Sequence, residues 1–109
     1  MNNDIDIEKG KTTAIVSYIM MVGVLIALTM NAEDKNKFAS FHIRQSLGLS
    51  ISFISIGLLI SNFSSTQIYV SFWIFFSILW VFGIFSAIRG EMQPIPLVGK
   101  LFQKVFKGL

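Results

Sequence analysis

The chain has 109 residues, of which 53% are hydrophobic and only 14% charged, whereas an ordinary soluble domain carries about 25% charged residues. A soluble chain this short buries only about 60% of the surface its unfolded form exposes, so this much apolar side chain calls for lipid as its solvent. The net charge of +3 sits on basic residues that flank long apolar runs, which favours an anionic membrane surface over nucleic acid as partner. There is no cysteine, and this removes disulfides and thiolate metal sites.

Residues 1–11 read as a polar tail with Asp4, Asp6, Glu8, Lys9 and Lys11. Thr12 to Met30 then continues for about 19 residues without a charge, long enough at about 1.5 Å per residue to cross a hydrocarbon core of roughly 30 Å. The acidic leader, the length of the run and the lack of an Ala-x-Ala site argue against a cleaved signal peptide, so a retained first span is expected over 12–30. A charged linker follows at 31–37, then a second uncharged run at 46–63. The polar, uncharged turn 61–67 leads to a third run at 68–88, which is rich in phenylalanine and holds Trp73 and Trp80. Tyr69 at its start suits the aromatic belt of a membrane interface. None of these runs has the short, alternating pattern of a barrel strand.

Gly90, Pro94 and Pro96 stop the third helix, because closely spaced prolines cannot continue one. From Leu97 the pattern changes: Leu97, Val98, Leu101, Phe102, Val105, Phe106 and Leu109 fall at helical spacing, with Lys100, Lys104 and Lys107 opposite them. This predicts a basic amphipathic helix over 97–109 that lies in the interface rather than crossing it. The expected fold class is therefore all-α: an integral membrane bundle of three transmembrane helices with a C-terminal amphipathic interfacial helix. Three crossings put the N-terminus and the 61–67 turn on one side, with Lys9 and Lys11. The linker and the C-terminus share the other side, with Lys35, Lys37, Arg44, Arg89, Lys100, Lys104 and Lys107. The Lys/Arg bias makes the second side cytoplasmic and the N-terminus external, as in a cell's inner, cytoplasmic membrane.

The most informative stretch is Phe38 to Gln45. On a helix that begins in the linker, Phe38, Phe41, His42 and Gln45 share a face that continues through Gly48, Ser52 and Ser55. Small residues let helices approach closely, and serine or glutamine bonds across the gap, so this stripe is a candidate packing seam or partner contact. His42 is the only histidine, and without a carboxylate or cysteine at ligand spacing it makes no metal site. Its default reading is structural, with proton sensing as the sharper alternative. Arg44 is expected to reach toward lipid headgroups, as are Lys100, Lys104 and Lys107; a salt bridge from Arg44 to Glu33 or Asp34 is the weaker alternative. The pairs Gly23/Ala27 and Gly83/Ala87 are further small-residue candidates for helix association. Every Asp and Glu lies outside the apolar runs, which argues against an ion-driven carrier. No catalytic constellation or phosphate loop is present, so no enzyme activity and no cofactor are expected.

At Phe38…Phe41-His42-Ile43-Arg44-Gln45-Ser46-Leu47 the chain resembles small bacterial membrane proteins related to the twenty-kilodalton subunit of the Tic chloroplast inner-envelope import complex. Those proteins open a transmembrane helix with a Phe-His-x-x-Gln-Ala/Ser-Leu motif and carry a Gly, then a Pro-Leu-x-Gly segment, after the last span. Arg89-Gly90 and Pro96-Leu97-Val98-Gly99 match the latter, and the resemblance covers roughly Thr12 to Gly99. It implies a non-enzymatic subunit of a membrane complex, with Phe41, His42 and Gln45 as the matching positions and other membrane proteins, or a second copy, as partners. The alternative is a self-associating pore lined by His42, Gln45, Ser52 and Ser55, since one pair of spans cannot enclose a path.

Overall fold

The structure is a computed structural model that describes residues 2–33 and 35–109, the side chains of 2–4, 20 and 21 excepted. Among the described residues every regular element is helical: α1 (Asn2–Val16), α2 (Met20–Met30), α3 (Lys37–Ile60), α4 (Thr66–Ile88) and α5 (Gly99–Val105). Two of them, α3 and α4, are long and apolar enough to cross a membrane, with mean hydropathies of 1.6 and 2.2 over their most apolar stretches. Each begins on a side-chain cap that satisfies a backbone N–H left free by the helix. The Asn36 side chain accepts from Ala39 N–H at 3.0 Å, and the Ser65 hydroxyl from Ile68 N–H at 3.3 Å.

The expected first span is not a single helix. The run 12–30 breaks at 17–19, and α1 reaches back through the polar segment read as a tail. At about 1.5 Å per residue, the 11 residues of α2 rise only about 16 Å, roughly half of a hydrocarbon core. The two short helices form a hairpin. Gly23 sits against the Val16 carbonyl, where a Cβ would collide with backbone, so the two helices approach closely at the tip.

The ends of this hairpin fix its direction. Asn36 in the α2–α3 turn donates from Nδ2 to the Asp6 carbonyl at 2.9 Å, and Gly10 lies against the Asn36 side chain. Ile7 packs on Gly90 at the end of α4. The start of α1, the α2–α3 turn and the end of α4 therefore meet at one end of the bundle. Tyr18, at the hairpin tip, packs on Gly83 in α4 and reaches His42 and Gln45 in α3. The α3–α4 turn stands alone at the far end, tied by Tyr69, whose hydroxyl lies 2.8 Å from the Phe63 carbonyl and 3.0 Å from that of Ile60.

The C-terminal helix is shorter than 97–109, and its apolar residues do not share one face. Phe102 is buried against Gly48 of α3, with Val98 and Phe106 also packed inward. Leu97, Leu101 and Val105 form a separate row pointing outward, 85%, 56% and 61% exposed. Val22, Leu25 and Ile26 on α2, Leu58 and Leu59 on α3, and Trp73, Ile74 and Ile78 on α4 are likewise exposed. Soluble monomers rarely show apolar patches beyond a few hundred Å², so this continuous apolar jacket fits a membrane protein.

Gly83 has no room for a side chain: a Cβ there would stand 2.5 Å from the Tyr18 ring, whereas at Gly57 the nearest neighbour, Phe72, is at an ordinary 3.5 Å. Gly83→Ala is expected to lower stability by about 1–3 kcal/mol through overpacking, and Gly57→Ala to raise it by roughly 0.5–1 kcal/mol by stiffening the helix. Thermal unfolding in detergent checks both; equal shifts for the two variants would mean that the hairpin tip does not sit on α4.

Candidate functional site

The chemistry-bearing residues of α3 converge with Tyr18 and the segment after α4 in a buried network. Local structure places the last partner first. Gly90, at φ +74°, lets α4 end in a double-bonded cap, with Gly90 N–H donating to the Ala87 carbonyl at 3.2 Å and Glu91 N–H to that of Ser86 at 2.9 Å. This left-handed turn is open to glycine at no steric cost. It turns the Glu91 carbonyl toward α3, where it accepts from Ser86 Oγ at 3.0 Å and faces His42 Nε2 at 2.8 Å.

The donor and acceptor roles follow from the chemistry of each group. A carbonyl only accepts, so His42 Nε2 carries a proton. Ile95 N–H donates to Gln45 Oε1 at 2.6 Å, which fixes the amide orientation and leaves Gln45 Nε2 to donate to the Tyr18 hydroxyl at 2.9 Å. That hydroxyl then has its own hydrogen free, and His42 Nδ1 lies 2.7 Å away to accept it. The chain Ile95–Gln45–Tyr18–His42–Glu91 thus gives every side-chain nitrogen and oxygen of Gln45, Tyr18 and His42 a partner with His42 neutral. The rings of Phe38 and Phe41 meet the imidazole edge-on, at centroid distances of 4.8 and 5.1 Å. His42 and Gln45 are both fully buried, and Tyr18 nearly so. The Tyr18 carbonyl, left over where the hairpin turns, accepts from Trp80 Nε1 at 2.8 Å.

The sequence-derived candidates divide accordingly. Phe38, Phe41, His42, Gln45 and Gly48 are all buried within the chain, Gly48 beneath Phe102. Ser52 is half-buried and Ser55 exposed, so neither joins the network. Arg44 turns toward the C-terminal segment, donating to Gln103 Oε1 at 3.3 Å and to the Lys107 carbonyl at 3.2 Å. Asp34, weighed as its partner, lies outside the described residues. Gln103 also ties α5 to α3, donating to the Phe41 carbonyl at 2.7 Å. Lys100, Lys104 and Lys107 are exposed. Of the small-residue pairs, Gly83 and Ala87 pack inside α4's inner face, and Ala27 packs with Ala39 and Ile43. Sequence reasoning missed Tyr18, Trp80, Ser86 and the Glu91 carbonyl. The signals for them were a lone tyrosine in an apolar run and a glycine one residue before Glu91.

Among the described residues no group of three His, Asp or Glu side chains is placed to hold a metal ion. A groove of about 470 Å³ lies beside the hairpin tip, lined by Tyr18, Ser50, Phe53, Trp73 and Trp80, and the buried hydroxyl of Ser50 has no partner.

Residues 9–102 match the magnetosome magnetite crystal formation protein family, MamF/MmsF, and the chain belongs to that family. This corrects the resemblance to the Tic import subunit. The Phe-His-x-x-Gln and Pro-Leu-x-Gly motifs both lie in the matched region, where they build the buried network and the turn before α5. Such needs are physical, and short motifs that answer them do not separate one family of small membrane proteins from another. No curated protein and no solved structure matches the chain.

Removing the Tyr18 hydroxyl strands two buried groups at once, Gln45 Nε2 and His42 Nδ1. Tyr18→Phe is expected to cost about 1–3 kcal/mol for each of the two groups, and Tyr18→Phe with Gln45→Leu less than the sum of the single changes, because the two share one bond. Denaturation of the three variants in detergent measures this. Strict additivity would show that the two side chains do not act together.

Proposed function

We propose that this member of the magnetosome magnetite crystal formation family is a non-enzymatic membrane protein that serves crystal formation indirectly, by organising its membrane and the proteins within it. The observation that carries this reading is the placement of charge. All nine Lys and Arg lie in segments that gather at one end of the bundle, through the contacts of Asp6, Ile7 and Gly10 with Asn36 and Gly90 and of Arg44 with Lys107. The other end is the turn 61–65, built of hydroxyls, an amide and a phenyl ring, without a carboxylate or imidazole. On that reading α3 and α4 are the complete crossings, and the α1–α2 hairpin enters and leaves from the charged side. Non-helical backbone at membrane depth is tolerated where protein covers it; here Ser17 and Tyr18 are buried and Trp80 satisfies the Tyr18 carbonyl, while Ile19 faces outward. The Lys/Arg excess then makes the charged end cytoplasmic, both terminal helices included.

This arrangement argues against direct templating of a mineral from the uncharged end, because hard metal ions are held by carboxylates and other anionic oxygens. The pore reading loses its lining, since His42 and Gln45 spend their hydrogen bonds inside the chain. Contact with other membrane proteins, or with a second copy, falls to the exposed faces of α3 and α4, where Ser55, Ser71 and Ser77 interrupt the apolar jacket.

The absence of native cysteine permits a direct test. Single cysteines at Lys9, Ser64 and Lys107 are labelled in sealed inverted membranes with a thiol reagent that does not cross lipid. Lys9→Cys and Lys107→Cys are expected to react together, and Ser64→Cys only after the membrane is opened. Reaction of Lys9→Cys on the side opposite Lys107→Cys would restore a third crossing and remove this reading.

A further inference from the structure

A cleft of about 610 Å³ lies at the charged end, between the end of α2, the first turns of α3 and the segment after α5. Four of its lining side chains are cationic, Lys35, Lys37, Arg44 and Lys107, and none of its described lining side chains is acidic. They come from three separate segments, so the fold and not the sequence assembles them. Arg44 is the best anchored. Its two terminal nitrogens donate to neutral acceptors, Gln103 Oε1 and the Lys107 carbonyl, while its buried Nε has no partner. Arg44 is half-buried, and a cation drawn partly out of water without a counter-charge favours an anion beside it. Lys37 opens α3, so the positive end of that helix adds to the field of the side chains. Leu28 and Met92 supply an apolar wall, and Leu28 belongs to α2, whose Leu25 and Ile26 face outward.

We infer that this cleft binds the phosphate group of an anionic phospholipid, with Lys35, Lys37, Arg44 and Lys107 around the headgroup and the acyl chain leaving past Leu28 along α2. The space is far larger than a phosphate ion, and its pairing of a basic floor with an apolar wall suits an amphiphile. Basic pockets between helices at the cytoplasmic surface are a recurring way to hold such headgroups. Lys100 and Lys104, basic residues of α5, are not among the residues lining the cleft and serve as the internal control. The inference rests on the reading that the charged end lies at the membrane surface. The cysteine-labelling result bears on that reading alone, whereas lipid retention bears on the cleft.

The test is native mass spectrometry of the full chain released from nanodiscs of mixed phosphatidylglycerol and phosphatidylcholine. The unaltered protein is expected to retain one phosphatidylglycerol in preference to phosphatidylcholine. Lys37→Gln with Lys107→Gln is expected to lower that retention by roughly tenfold or more, and Lys100→Gln with Lys104→Gln to leave it nearly unchanged. Arg44→Gln joins the series if its melting temperature in detergent stays near that of the parent. Equal losses from the two lysine pairs would mean diffuse charge attraction and overturn the site, as would equal retention of both lipids. A parallel arm adds inorganic phosphate: displacement of the lipid at millimolar phosphate would assign the cleft to free phosphate and overturn the lipid inference.

Discussion

A polar group placed at membrane depth has no water to turn to, and each one left unpaired costs several kcal/mol. This constraint governs the molecule. Tyr18, His42 and Gln45 lie inside the bundle, and each finds its partner on a different segment: the hairpin tip, α3, or the backbone after α4. One tyrosine hydroxyl serves both as donor and as acceptor and joins the hairpin tip to α3, while His42 and Gln45 carry the link on to the segment after α4. The network is more sensitive to the loss of one member than a set of independent bonds would be.

The rest of the architecture accommodates that network. Gly83 gives the Tyr18 ring its seat, Gly90 bends the chain so that the Glu91 carbonyl reaches His42, and Trp80 covers the carbonyl exposed by the break between α1 and α2. Gly48 admits Phe102, and Gln103 and Arg44 then fasten α5 across the start of α3. The interior of the charged end is therefore occupied by the chain itself. What remains for lipid and for other proteins is the apolar jacket, the outward row of α5 and the basic cleft.

Much of this was legible in the sequence, and the failures have physical causes. The helices α3 and α4 were legible as uncharged runs between a charged linker, a polar turn and a stop at Gly90, although α3 starts at Lys37 and ends at Ile60, both earlier than the run 46–63 that marked it. The face joining Phe38, Phe41, His42 and Gln45 followed from helical spacing alone. The hairpin did not, because 12–30 contains neither proline nor charge; the break is imposed by tertiary bonds to Tyr18, which no local pattern reveals. The same reading set the start of α1 at the opposite end of the bundle from the α2–α3 turn, whereas Asp6 meets Asn36 and Ile7 packs on Gly90. For α5, spacing alone could not separate residues buried against Gly48 from residues turned to lipid, since both are apolar. The family could not be inferred from motifs whose residues answer to packing and hydrogen bonding.

The most direct measurement of the network is the nitrogen NMR spectrum of the protein labelled with ¹⁵N-histidine in lipid, where the single histidine gives an unambiguous signal. The account predicts one neutral tautomer, with the proton held on Nε2 and an unprotonated Nδ1 accepting a hydrogen bond from the tyrosine. A proton on Nδ1, or rapid averaging between tautomers as in a solvated imidazole, would contradict it.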